Sequence, residues 1–166
     1  MNHPVISTLL VTVFVVTFAG CMMASTTQEK ASGEITGRVF SKSDVQTMED
    51  RPIQVLVLAV PSAKFDSLLG DMGEPKTQAG EIVNVKGTVE NAFTTYATGH
   101  DVSSKEGRYR IPVTESGAHY VCLTGETEVP ETNSWTLAGC MEVEVSEDET
   151  VEQDLYMQFG SLVTPR

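Results

Sequence analysis

From residue 33 onward, apolar and polar side chains alternate in short runs. Ile35, Gly37 and Val39 alternate with Thr36, Arg38 and Phe40. Ile53, Val55 and Val57 open a second run, which becomes apolar on both faces through Leu56, Leu58 and Val60. Thr94 to Thr98 is a third, weaker run. Tyr109, Ile111 and Val113 alternate with Arg108, Arg110 and Pro112, and Ala118 to Leu123 is short and mostly apolar. Met141, Val143 and Val145 alternate with Glu142 and Glu144. Val151, Gln153, Leu155, Met157 and Phe159 share one parity; Glu152, Asp154 and Gln158 take the other. Period-two patterning bounded by Gly, Ser, Asp and Pro predicts strands. About seven such runs predict an all-β fold, a β-sandwich with one core between two sheets. Pro112 has no N–H to donate, which places its strand at an edge or at a bulge.

Residues 61–93 are too long for a hairpin loop and read as an insertion after the second strand. Ser62 to Leu69 predicts one or two helical turns with Phe65, Leu68 and Leu69 on one side. Gly70, Gly73 and Pro75 stop the pattern, and Ile82, Val83 and Val85 suggest an extra strand. A decorated surface loop is the plainer expectation for such an insertion, a functional segment the other.

The chain opens differently. Residues 1–20 contain no Asp, Glu, Lys or Arg, and Val5 to Phe18 is apolar apart from Ser7, Thr8, Thr12 and Thr17. That is short of the roughly 20 residues a membrane-spanning helix needs and fits the apolar core of an export signal. Phe18-Ala19-Gly20-Cys21 resembles the lipobox of bacterial lipoproteins, with Phe18 where leucine is usual. The resemblance implies a diacylglycerol on the Cys21 thiol, removal of residues 1–20, and a cell-envelope location facing away from the cytoplasm. Met22 after the cysteine resembles the outer-membrane sorting pattern, for a host that has such a membrane. An ordinary cleaved signal and a retained anchor helix are the alternatives. Residues 22–33, polar with Ser, Thr and Lys30 and without apolar periodicity, read as a tether with a reach of roughly 20 Å. The domain boundaries are then 1–20 signal, 21–33 lipidated Cys and tether, 34–160 sandwich and 161–166 tail.

Charge and cysteine content sharpen this reading. The chain carries 23 Asp+Glu against 11 Lys+Arg, a net charge of −12. Such a protein has no basic surface to neutralise phosphates, so nucleic acid is excluded as a partner. Adsorption to anionic lipid through protein charge is disfavoured for the same reason. There are three cysteines. Assigning Cys21 to lipid leaves Cys122 and Cys140, an even pair in a compartment where disulfides persist. A Cys122–Cys140 bridge is predicted; two separate buried thiols are the alternative.

Candidate chemistry is sparse. After the signal only His100 and His119 remain. A peptidase zinc site needs two His and a carboxylate, and nothing in their spacing brings them together; the other reading is two surface or rim histidines. Glu142, Glu144, Glu147, Asp148, Glu149, Glu152 and Asp154 could offer oxygen to calcium, yet lack EF-hand spacing and alternate as a solvated face. No nucleophile elbow, phosphate loop or dinucleotide fingerprint is present, and no cofactor is implied. Trp135, the only Trp, lies among polar residues in the long 124–139 connection. With Tyr96 it is the candidate platform for a sugar or a protein contact. Packing over the sandwich end is its other reading.

Gly107-Arg108-Tyr109-Arg110-Ile111-Pro112-Val113 and Gly117-Ala118-His119-Tyr120-Val121 carry a second resemblance, together with Gly33-Glu34-Ile35-Thr36-Gly37-Arg38-Val39 and Val151 to Phe159. The arrangement is similar to the carboxypeptidase regulatory-like group of transthyretin-like (prealbumin-like) sandwiches. It implies a Greek-key β-sandwich and a folding or interaction module, without peptidase activity. The tail Leu162-Val163-Thr164-Pro165-Arg166 departs from the Tyr-Arg-Gly-Ser-like ending of the hydrolases of that fold. The function expected is a membrane-anchored envelope lipoprotein with a non-enzymatic structural or binding module, its partner an envelope protein or a glycan. The alternatives are a carbohydrate-binding module using Trp135, and a small metal-dependent enzyme using His100 and His119.

Overall fold

A computed structural model describes residues 32–42, 50–73, 87–158 and 161–163. Cys21, the signal-like segment, nearly all of the expected tether and the Ile82–Val85 run lie outside them. In chain order the elements are β1 (Gly33–Lys42), β2 (Asp50–Pro52), β3 (Leu56–Pro61), α1 (Ser62–Asp71), β4 (Gly87–Val89), a 3-10 turn (Phe93–Thr95), β5 (Gly99–Val102), β6 (Arg108–Val113), β7 (Gly117–Thr124), β8 (Trp135–Val145), β9 (Thr150–Glu152), β10 (Leu155–Gln158) and β11 (Ser161–Val163).

The first sheet is built around β1. Its first half pairs antiparallel with β6 and parallel with β9; its second half pairs antiparallel with β2 and parallel with β10. β11 closes the order on the far side of β10. The second sheet, β4-β8-β7-β3-β5, is antiparallel throughout. Two packed sheets match the sandwich expectation. β6 alternates as anticipated, with Tyr109, Ile111 and Val113 buried and Arg108, Arg110 and Pro112 exposed. Among the described residues β6 has β1 as its only ladder partner, which leaves Pro112 on an edge.

The second sheet buries both faces. Val57, Ala59, Val121, Leu123, Val143 and Val145 face β1 and β6, forming the sandwich core with Ile35, Val39, Tyr109, Ile111, Leu155 and Leu162. Leu56, Leu58, Val60, Tyr120, Cys122, Leu137 and Cys140 point the other way, under α1 and the segment around Phe93. A strand covered on both sides reads as a continuous apolar run, which is why β3 loses its alternation. The described parts of the insertion, 61–73 and 87–93, are therefore a packed layer and not a decorated surface loop. Phe65, Leu68, Leu69, Val89 and Phe93 roof the second sheet, and Phe65 stacks on Tyr120 with ring centroids 3.8 Å apart. The expected helix is present and runs to Asp71, and Gly73 takes φ +75°, a conformation that ends helices.

Other elements differ from the expected pattern. Thr94 to Thr98 does not form a strand: Phe93 and Tyr96, three residues apart, are both buried across a 3-10 turn. Ile53 and Val55 precede β3 rather than open it. The long connection is shorter than 124–139, because β8 begins at Trp135. Ser161–Val163 extends the first sheet into the expected tail. The last run divides into β9 and β10 where β1 changes parallel partners. There Gln153 N–H donates to Thr36 O (2.8 Å) and Arg38 N–H donates to Asp154 Oδ1 (2.8 Å). Gly37 is required at this crossing, since a Cβ would run into the Gln153 carbonyl.

The Tyr109 hydroxyl fastens the same junction by donating to Gln153 O. Burial, and after it the charge of Asp154, push this phenol above its ordinary 10.0. The folded state prefers the neutral form, so the stability it contributes is present below about pH 10 and is lost as pH rises further. Tyr109→Phe is expected to cost about 1 kcal/mol at neutral pH and to flatten the alkaline limb of a stability profile. An equally steep alkaline fall in both proteins would contradict this.

Candidate functional site

The structure brings Trp135 and Tyr96 together, but inside the protein. Trp135 is 1% exposed and Tyr96 4%. The indole N–H donates to Asn91 O. Asn91 Nδ2 donates to Asp71 Oδ2 (2.7 Å) and to Tyr96 Oη (3.2 Å), and the Tyr96 hydroxyl donates to the same carboxylate oxygen. Burial first, then the bond to Asp71, raise the Tyr96 phenol. The expected aromatic platform is corrected: neither ring offers a face to a sugar. The four residues form a clasp that ties the end of α1, the loop before the 3-10 turn and the start of β8 into one layer.

The two histidines do not meet. His100 stands opposite Leu58 in the ladder, on the α1 side of the second sheet, with its ring 4.8 Å from that of Phe93. His119 has the opposite parity, shared with Val121 and Leu123, and is buried. Side chains of opposite parity leave opposite faces of a sheet, so the metal pair proposed from sequence is corrected. His119 Nδ1 is 3.0 Å from Gly117 O, while Nε2 has no partner among the described residues. Within that same set no group of three or more His, Cys, Asp or Glu is placed to hold a metal ion.

Cys122 and Cys140 are bonded, as expected from cysteine arithmetic. They stand directly opposite each other on β7 and β8 with Cα atoms 4.0 Å apart, buried beneath α1.

The accessible chemistry lies on the outer face of the first sheet. Inward Val39 and Leu155 leave Phe40 and Tyr156 pointing outward as a register pair, with ring centroids 5.3 Å apart. Pro52 sits opposite Phe40 on the other side. Lys42 Nζ lies 5.0 Å from the Tyr156 ring centroid, a cation–π contact. Further along, Arg38 stands directly opposite Arg108, both exposed. Arg110 is bound by Glu34 through its Nε–H, and its backbone N–H donates to Asp101 Oδ2 (2.7 Å). In the sequence Arg38, Phe40, Arg108 and Arg110 stand out only as one parity of an alternation, and Lys42, Pro52 and Tyr156 carry no signal at all. Their grouping depends on the β1–β6 and β1–β10 registers, which alternation alone does not specify.

Fold and surface together define a two-sheet β-sandwich with a helical roof over one sheet and a cation–aromatic stripe on the other. No protein-family model matches the chain, and no curated protein matches it. Among solved structures it is similar to a crystal structure of a Pseudomonas aeruginosa protein described as a candidate carbohydrate-binding protein. The identity is 16%, over 80% of this chain and 92% of that one, with a TM-score of 0.46. A likeness of that degree does not extend to ligands or to individual residues.

Proposed function

We propose that this chain is a cell-envelope lipoprotein, anchored through Cys21, whose single sandwich acts as a non-enzymatic binding or structural module. In this reading the sandwich is a Greek-key domain of the carboxypeptidase regulatory-like, transthyretin-like kind. Its partner is an envelope protein or a glycan, and the outer membrane is its site in a host that has one. The supporting observation is the Cys122–Cys140 bridge. Disulfides persist mainly outside the reducing cytosol, and pairing these two leaves Cys21 as the one cysteine free for lipid. Two acyl chains, each worth about 0.8 kcal/mol per buried methylene, hold a protein stably on a bilayer.

Cys21→Ser is expected to move the protein from the detergent phase and membrane fraction to the soluble fraction, or to block maturation. Unchanged partitioning of the variant would refute the anchor.

A further inference from the structure

The geometry points to the outer face of the first sheet as a binding site for an acidic glycan, with a carboxylate held between Arg38 and Arg108 and a sugar ring resting on Phe40, Tyr156 and Pro52. This deepens the binding-module reading and does not depend on the anchor at Cys21.

Arg38 and Arg108 are register partners on β1 and β6. Like charges directly opposite in a ladder repel, so the pairing is unfavourable in the free protein. Three of the nearby carboxylates already hold other groups. Asp154 accepts the backbone N–H of Arg38, Asp101 accepts that of Arg110, and Glu34 takes the Arg110 side chain. Among the described residues no ion pair is made by the guanidinium of Arg38 or of Arg108. A bridging carboxylate would relieve the repulsion and use the planar donor fork of each arginine.

The aromatic part adjoins it. Phe40 follows Arg38 by two residues on β1, about 7 Å along the strand, so one sugar unit can touch both. Phe40 and Tyr156 are half-buried and Pro52 exposed, so together they offer a partly exposed apolar surface. Lys42 adds a third cation at the far end. Basic residues concentrate here: of the described Lys and Arg, only Lys64 lies away from the first sheet and the turn that leads into β6.

Local pairing favours a glycan over the other anionic partners. Glu34, Asp50, Glu152 and Asp154 share this face or its rim and confine the positive charge to the arginine pair, which suits one carboxylate at a time, whereas a bilayer or nucleic acid is held by an extended positive field. The ring stack of Phe40 and Tyr156 beside the arginine pair favours a sugar ring over an acidic peptide, and the edge of β6 left unpaired among the described residues makes the peptide the rival that the test must separate.

The test is calorimetric titration of the purified full chain in detergent micelles. The probes are oligogalacturonate, a neutral cello-oligosaccharide of the same length, and oligoglutamate. Saturable binding of oligogalacturonate alone is expected, weakened at least about tenfold in Arg38→Ala/Arg108→Ala and unchanged in Lys64→Ala on the opposite layer. Removing two facing cations is expected to leave the melting temperature no lower than that of the parent, which separates lost binding from lost fold. Failure to bind oligogalacturonate, equal binding of either other probe, or parental affinity in a folded double variant would overturn the inference. Fractionation of the Cys21→Ser variant is unaffected by any of these results.

Discussion

Trp135→Ala is expected to lower the free energy of unfolding by about 3–5 kcal/mol, the cost of emptying a large aromatic site. The indole is 1% exposed and packs with Val89, Phe93 and Leu137 between the second sheet and its roof. Its N–H is held by the Asn91 carbonyl, and Asn91 in turn holds Asp71 at the end of α1 and the Tyr96 hydroxyl. Truncation therefore opens a cavity and frees the clasp. Trp135→Phe fills most of the volume but leaves Asn91 O without its donor, and is expected to cost about 1–2 kcal/mol. Denaturant titration of both variants checks the ordering. A loss below 1 kcal/mol for the alanine variant would mean that the roof is not packed on the sheet as described.

Removing the bridge as Cys122→Ala/Cys140→Ala is expected to cost about 3 kcal/mol, the loop-closure value for a separation of this order. The two cysteines are 18 residues apart, and the loop between them includes the polar connection ahead of β8. Both are fully buried under α1, so the folded protein should resist reductant until it unfolds. Thiol counting of the native protein, with and without denaturant, supplies the second check. Two thiols that appear on unfolding without reductant would refute the bridge and remove the main support for export.

Elements whose local pattern matches their burial were legible. β6 alternates because only one of its faces is covered. α1 shows Phe65, Leu68 and Leu69 at helical spacing because one side of it packs on the sheet. The roof was less legible. The doubly apolar β3 was its signal, yet nothing local says what covers the second face. Trp135 could be either packed or presented, and its position opposite Val89 in the β4–β8 ladder decides for packing. The break between β9 and β10 is invisible in alternation, because parity continues through Gln153 and Asp154 while the hydrogen bonds change partners. The stripe of Arg38, Arg108, Phe40 and Tyr156 joins three strands distant in sequence, so it emerges only once register is known.

Intact-mass measurement of the mature protein from membranes, with its amino-terminal fragment sequenced, bears most directly on export and anchoring. The expected species begins at Cys21, carries diacylglycerol on that thiol and has the mass of a protein with Cys122 and Cys140 oxidised. A species that retains residues 1–20, or one with an unmodified Cys21 and two free thiols, would contradict the proposed anchoring.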